Sequence, residues 1–508
     1  MILSGICQMK WCKAAFLSTD KVGGKKENSM GRKAFEPAVR VQVLSEESIE
    51  KIHNAALEVL ERTGVAINTE EGRQILLDAG CRLKGDNVIQ IPAKLVEKAI
   101  KSAPSSVVLY DRLGDERCVL EGWKTSFGTG SDCPFILDRQ TQQKRQCTYD
   151  DVAKGALVCD ALENFDFVMP VGIISDRPTH VADVYAAEAT MSNTVKPVVF
   201  TAHNKRTFQA SIDLAAAVAG GLDKLQEKPT ICLYAEPTSP LKHMPQATDK
   251  LIHAARLGIP IIFTPCPLGG ATAPATGAGI LVQATAESLS GLVINQIVRA
   301  GSPFIFGGVL YMLDMSTTIS PYGSPELHQL CAALTDIAHY YKLPMFGTCG
   351  CSDAKRVDAQ AGMEVGFSTL MATLNGQNLI HDIGFLESAL ITSYEMYILT
   401  DEAIGMAKHI AGGVAVNGDT LAVEVIDKVG QTGDYLTQDH TLKFFRKELY
   451  FPGIIDRTNY AGWEKLGSKT MDVKLQEKTD EILATHKTEA IEPAAARRIE
   501  EILKDIQG

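Results

Sequence analysis

Apolar positions between residues 45 and 63 recur at helical spacing: Ile49, Ile52, Ala56, Val59 and Leu60 share one face, and Gly64 ends the run. The same pattern predicts helices over 69–79, stopping near Gly80, and over 93–102, entered at Pro92 and closed before Pro104. From about residue 125 the texture changes. Short apolar, β-branched segments alternate with longer helical ones. Strands are predicted at 125–130, 167–172, 197–202, 230–235, 260–265, 303–308, 344–349 and 378–383. Helices are predicted near 149–162, 179–192, 205–219, 244–257, 278–300, 323–341, 361–375 and 385–410. Strands alternating with helices require parallel pairing through right-handed crossovers. These strands are apolar along their whole length, as when both faces are covered. Eight such units point to a closed TIM (β/α)8 barrel, with an open doubly wound sheet as the alternative.

The expected organisation is a flexible leader at 1–29, an N-terminal helical cap region at 30–124, the barrel at 125–414 and a C-terminal helical extension at 415–508 packing on it. An amphipathic, charged helix near 491–506 closes the chain. Each strand runs into a loop rich in Gly, Pro, Ser, Thr, Asp or His. The loop after the first strand is long enough to hold a hairpin insertion. In a barrel all these loops share one face, and that face holds the active site.

Length and composition narrow the function. The chain has 508 residues, 45% hydrophobic and 22% charged, with a formal net charge of −11. That acidic balance argues against nucleic acid as a partner, because binding it needs a basic footprint. The most apolar stretch, 278–300, carries Gln283, Glu287, Asn295 and Arg299, so it reads as a buried helix and no membrane span is expected. Lys10 and Lys13 interrupt the only apolar run near the start, against a signal peptide. The 12 cysteines are scattered, as free thiols in a reducing cytoplasm would be. No GxxxxGK[ST] loop occurs, no GxGxxG opens a helix after a strand, and no DxHxxG corrinoid-ligand motif is present.

Several residues carry candidate chemistry. His381-Asp382 ends the last strand and reads as an acid/base pair or a substrate clamp, or as a hydrogen-bonded turn. Glu236 follows the fourth strand. Asp353 and Lys355 lie in a polar loop after the seventh, which an ion network would explain equally well. Phe127, Tyr234, Phe306, Tyr311 and Phe346 fall near strand C-termini. Two or three of them facing the mouth would make an aromatic cage for a quaternary ammonium. Cys349 and Cys351, with Cys331 or Cys266, would be the thiolates of a zinc site, although no second ligand motif accompanies them. Packed thiols are the plainer reading, and no bound metal is expected.

The run Leu343-Pro-Met-Phe-Gly-Thr-Cys-Gly-Cys-Ser-Asp-Ala-Lys355, with Asp358-Ala-Gln-Ala-Gly-Met-Glu364, resembles the trimethylamine:corrinoid methyltransferase family. So do Glu236-Pro-Thr-Ser-Pro-Leu241, Asp314-Met315, His381-Asp-Ile-Gly-Phe-Leu386 and the tail from His440 to Trp463. The resemblance implies a TIM barrel that passes a methyl group from a methylamine to the Co(I) of a separate corrinoid protein. The archaeal trimethylamine enzymes carry pyrrolysine after the seventh strand, whereas this chain has ordinary residues there, with Gly350 near the equivalent spot. Without that residue, a quaternary amine is the fitting substrate, because it leaves as a neutral tertiary amine. The chain therefore looks like the non-pyrrolysine branch, acting on glycine betaine or a relative such as proline betaine, carnitine or γ-butyrobetaine. His381, Lys355 and Arg356 are the cationic groups expected for a betaine carboxylate. Cobalamin would arrive on the partner, none would be bound by this chain, and a cytoplasmic homo-oligomer is expected. A zinc-thiolate barrel methyltransferase and a non-catalytic betaine-binding protein stand as alternatives.

Overall fold

A computed structural model of the chain describes residues 34–507, so the expected leader at 1–29 lies outside the described residues. Seven parallel strands form one curled sheet: β1 (Ser126–Thr129), β3 (Val198–Phe200), β4 (Ile231–Ala235), β5 (Ile261–Phe263), β6 (Phe304–Gly307), β7 (Met345–Thr348) and β8 (Leu379–Ile383). β8 pairs with β1. The remaining gap is closed by β2 (167–168), where Phe167 bridges Gly128 and Val168 bridges Val198. The ring is complete, which removes the open-sheet alternative. β2 is shorter than expected because Pro170 has no N–H to give the ladder. Beside it, the Met169 N–H donates to Thr129 Oγ1 at 2.7 Å and that hydroxyl donates to the Met169 carbonyl at 3.0 Å.

Eight helices surround the strands: α1 (Tyr149–Ala161), α2 (Ala182–Ser192), α3 (Lys205–Ala219), α4 (Pro245–Leu257), α5 (Gly277–Val298), α6 (Pro325–Tyr341), α7 (Ala359–Asn375) and α8 (Tyr394–Ala411). Side-chain caps fix five of their starts, among them the Thr148–Asp151 capping box of α1 and Asp358 on α7. Among the described helices, α5 is the one long and apolar enough to cross a membrane. It is mostly buried, packed against β5, β6 and the N-terminal helices Glu46–Glu58 and Ala93–Ser102.

Two regions differ from the sequence expectation. The N-terminal region holds its three helices but also short strands, Val65–Ile67, Arg82–Lys84 and Val88–Gln90, and a hairpin of Val107–Tyr110 with Glu116–Leu120. Most of these strands are three residues long, too short for alternation to register. The hairpin sends Val107, Leu109, Cys118 and Leu120 into the same core as Val199, Cys232, Ile262 and Ile305 from inside the barrel. Its Tyr110 N–H donates to Pro229 O and its Arg112 N–H to Val195 O, each at 2.9 Å and each just ahead of a strand. The hairpin thus plugs the N-terminal end of the barrel and leaves the opposite end as the mouth. Residues 385–392, expected to be helical, instead form strands Phe385–Leu386 and Ile391–Thr392. Glu387, Ser388 and Ala389 turn between them with φ of 49°, 54° and 66°. These strands join Phe135–Leu137 and Lys144–Gln146, the expected insertion, in a small four-stranded sheet over the mouth.

The C-terminal extension packs on the barrel. Met471–Thr485 lies against α8 and α1, and Pro493–Gln507 against α3 and α2. Arg139 of the insertion clamps Glu395 of α8 and Asp480 of the extension, each at 2.9 Å.

Candidate active site

Side chains of a regular strand alternate between faces. β8 breaks that rule at its exit. Its register against β1 shifts between Ile380 and Ile383, and Asp382 takes φ = 71°, a left-handed conformation that Asp tolerates better than most residues. The bulge turns Asp382 back beside its neighbour, and His381 Nε2 lies 3.1 Å from Asp382 Oδ1. His381 Nδ1 donates to Gly347 O at 2.7 Å. With that proton assigned, the Nε2–Oδ1 contact holds one shared proton, on either atom. The Thr348 hydroxyl donates to Asp382 Oδ2. Burial raises the Asp382 carboxyl above the ordinary carboxylate range, against the lowering effects of His381 and Thr348.

Rings cluster above this pair. Phe346 packs on His381 with centroids 3.9 Å apart and the rings tilted by 33°, and Tyr234 lies 5.4 Å from Phe346 and 6.1 Å from His381. Higher up, Tyr311 meets Tyr322 at 5.5 Å, and Tyr322 meets Phe385 at 6.1 Å. Glu236 Oε1 accepts from the Tyr234 hydroxyl and, at 3.2 Å, from Cys266 Sγ. Across the mouth, Asp132 accepts from the Ser131 and Thr201 hydroxyls at 3.1 Å each. The surrounding protein, with Glu236 and Asp183 nearby, pushes its carboxyl up to about 6. Lys250 of α4 donates from Nζ to Ala202 O beside this cluster. Burial lowers its ammonium, while Asp183, Asp132 and Glu236 hold it charged.

Of the sequence-nominated residues, Tyr234, Glu236, Tyr311, Phe346, His381 and Asp382 meet at the mouth. The others do not. Phe127 and Phe306 alternate outward into the helix layer, Phe127 under Lys408 of α8 at 5.2 Å and Phe306 against Tyr341 of α6 at 5.8 Å. Asp353 is a latch, accepting from the Tyr322 and Gly323 N–H groups and the Ser388 hydroxyl at 2.9–3.0 Å. Lys355 is exposed and donates to the Asp353 carbonyl at 2.8 Å. Arg356 lines a groove against Met471 and Gln476, outside the mouth. Gly350 backs onto the helix layer: a Cβ there would meet Thr400 Cγ2 at 2.8 Å and Ile383 Cγ1 at 2.9 Å. Its neighbour Cys351 belongs to the mouth wall with Cys133, Phe385 and Tyr322. Asp132, Tyr322, Thr348 and Lys250 were missed. Asp132 and Tyr322 sit in strand-exit loops and were findable on that ground, whereas Lys250 is an ordinary helix residue in the sequence.

The thiols do not assemble as zinc ligands. Cys351 Sγ donates to Tyr322 O at 3.1 Å, Cys331 Sγ to Gly308 O at 3.7 Å and Cys266 to Glu236. Burial pushes the Cys349 thiol up to about 12. No group of three or more His, Cys, Asp or Glu side chains suited to a metal occurs among the described residues.

This closed barrel with its site at the strand exits can be compared with known proteins. The model of the trimethylamine methyltransferase (MTTB) family matches residues 18–505. The chain belongs to that family. The trimethylamine methyltransferase MttB of Desulfitobacterium hafniense is 34% identical over 464 residues, covering 91% of this chain and 93% of that protein. The MttB of Methanosarcina thermophila is 34% identical over 485 residues, covering 92% and 97%. The glycine betaine methyltransferase of D. hafniense strain Y51 is 30% identical, covering 89% and 95%. The crystal structure of the Methanosarcina barkeri monomethylamine methyltransferase (MtmB) matches at a TM-score of 0.50 and 12% identity, covering 92% of this chain and 88% of that one. That likeness speaks to the fold alone. The chain is an amine methyltransferase of this family, built on a TIM barrel.

Proposed function

We propose that this enzyme takes a methyl group from a quaternary amine of the betaine class and delivers it to a separate corrinoid protein. The observation that carries this reading is the mouth itself. Tyr234, Phe346, Tyr311 and Tyr322 bring rings, and Glu236, Asp132 and Asp382 bring carboxyl groups, together at the strand exits. Aromatic faces with nearby negative charge are the usual host for an N-methylated cation, each ring contributing about 0.5–2 kcal/mol. The names of two relatives, trimethylamine methyltransferase and glycine betaine methyltransferase, agree with a methylated amine.

The partner's reduced corrinoid would supply the nucleophile at the open end of the barrel. This chain's part is to strip water from the ammonium and aim one N–CH3 group outward. When that bond breaks, its electron pair stays on nitrogen and the amine leaves neutral. No proton is required, which suits a mouth whose acid and base, His381 and Asp382, are engaged with each other. The carboxylate of a betaine would find Lys250 as its donor in place of Lys355 and Arg356, since both ring nitrogens of His381 are engaged. Ten unpaired thiols among the described residues suit the reducing cytoplasm in which such chemistry would run.

The test is direct. The purified chain is mixed with chemically reduced cobalamin and a panel of betaines, and the cobalamin spectrum is followed. Methylcobalamin should form with at least one quaternary amine. If none is demethylated with either free cobalamin or a purified corrinoid protein, while betaine binding persists by calorimetry, a binding role replaces the enzymatic one.

A further inference from the structure

The loop leaving β6 is anchored at its two ends and tied to itself in between. At the start, Tyr311–Met312 pairs with Leu268–Gly269, and the Leu313 N–H donates to Gly269 O at 3.0 Å. From Asp314 to Ile319 the chain bonds internally. The Asp314 N–H donates to Ile319 O at 3.0 Å, and the Asp314 carboxylate accepts from the Ser316 and Thr317 hydroxyls at 2.7 and 2.9 Å. That tip is open to solvent, with Met315 at 65% exposure. The far anchor is Asp353. Its Oδ1 accepts from the Tyr322 N–H at 2.9 Å and its Oδ2 from the Gly323 N–H at 3.0 Å. The same Oδ1 accepts from the Ser388 hydroxyl, in the hairpin after β8, at 2.9 Å. Asp353 itself stands in the loop after β7, so one carboxylate joins three strand exits.

Behind it stands the buried Glu364 of α7. Glu364 Oε2 accepts from the Asp353 N–H at 2.9 Å and from the Ser352 hydroxyl, while Oε1 accepts from Gln360 Nε2 at 2.9 Å. Gly323 passes so close that a Cβ there would lie 2.5 Å from the Glu364 carboxyl carbon. The anchor is thus referred to a rigid helix. We propose that Asp353 is a positioning residue for the amine site: it holds the exit loops of β6 and β8 against its own and so sets the Tyr322 ring against Tyr311 and Phe385. Three donors converge on two oxygens, which calls for an acceptor-only group, and a carboxylate is one. An amide would have to turn its own N–H groups toward one of those donors. The bond to the Tyr322 N–H acts on the residue that carries the ring, just past an exposed tip that offers it no other support. The clasp stands apart from the proposed reaction, but the role given to Tyr322 rests on that reading.

Two measurements on the full chain test it. The first is hydrogen–deuterium exchange without ligand. Asp353→Ala should speed exchange by roughly 10-fold or more in both 316–324 and 384–393 while α7 and α8 keep their protection. Ser388→Ala, which removes one hydroxyl, should loosen 384–393, and Ser388→Thr should restore it. The second is a double-mutant cycle read as the Kd of tetramethylammonium by calorimetry. Tyr322→Leu and Asp353→Ala should each weaken binding by about 5-fold, the value of one ring face. Combined, they should stay within about twofold of Tyr322→Leu alone, because a group that acts through the ring has nothing left to position. Additive losses overturn the positioning role. Faster exchange in only one of the two segments, or unchanged exchange in Ser388→Ala, overturns the clasp. A wild-type chain that binds no N-methylated cation overturns the amine reading and with it the role of Tyr322, and exchange then decides the clasp by itself.

Discussion

His381 Nε2 lies 3.1 Å from Asp382 Oδ1, and Gly347 O holds the other ring nitrogen at 2.7 Å. The pair is thus a buried carboxylate–imidazole contact. Asp382 is raised by burial, so its carboxyl binds a proton more tightly in the folded protein than in the unfolded chain. Its contribution to stability is complete below the unfolded pKa and declines as pH rises through the folded one. Asp382→Asn should then leave the melting temperature at pH 8 equal to or above that of the wild type, while kcat/KM falls by about 100-fold through loss of a positioned carboxyl beside the ammonium. Asp382→Ala should abolish turnover with the fold intact. Full activity in either variant would place the site elsewhere.

The direction in which each ring points makes a second prediction. Phe346→Leu should weaken betaine binding by about 1 kcal/mol through the lost ring face, with Tyr234→Leu similar. Phe127→Leu and Phe306→Leu disturb the helix layer instead. They should lower stability by about 1–2 kcal/mol and leave affinity within twofold. Calorimetric titration beside urea denaturation separates the two classes, and equal affinity losses in all four would contradict the inward and outward assignment.

Asp132 should set the pH dependence of binding. Its carboxyl, pushed up to about 6, is largely protonated at pH 5 and ionised at pH 7. Affinity for a purely cationic probe such as tetramethylammonium should rise as pH increases through that window. Asp132→Asn should flatten the profile at the low-pH level. A wild-type profile that is flat from pH 5 to 8 would show that Asp132 does not face the ligand.

The alternation of strand and helix made the barrel legible because buried parallel strands are apolar throughout and their helices are long. The strand exits followed from topology, and so did Tyr234, Glu236, Tyr311 and the His381-Asp382 pair. Side-chain direction did not follow. Phe346 and Phe306 occupy similar places at strand ends, yet one faces the mouth and the other α6, since a one-residue difference in register reverses the face. The Asp382 bulge was hidden for the same reason, because nothing in a local pattern announces a left-handed residue inside a strand. Short N-terminal strands gave no periodic signal, and the hairpin plug depends on contacts far apart in sequence.

Gly350 is a case where position in the chain suggested chemistry and the backbone assigns structure. Its φ of 69° and the absence of room beside Thr400 and Ile383 both exclude a side chain. Gly350→Ala should cost about 1–3 kcal/mol in urea denaturation. Activity per folded molecule should stay within about twofold, because the mouth residues do not touch that Cβ. A tenfold loss in well-folded protein would return Gly350 to the catalytic machinery.

Lys250 decides whether the mouth prefers a zwitterion to a simple cation. One of its three ammonium protons goes to Ala202 O, leaving two donors beside Asp132 and Asp183. A substrate with a carboxylate can accept them, while one without leaves them to the acids already present. Lys250→Met keeps the length and the apolar stem but removes the charge. It should raise KM for glycine betaine by about 10–100-fold, the value of one charge-assisted hydrogen bond, as measured in the methylcobalamin assay. Binding of tetramethylammonium should hold or tighten, because a positive charge has gone from a cation site. Equal losses for both ligands would mean that Lys250 serves only the fold, and a thermal melt of the variant would then show the matching destabilisation.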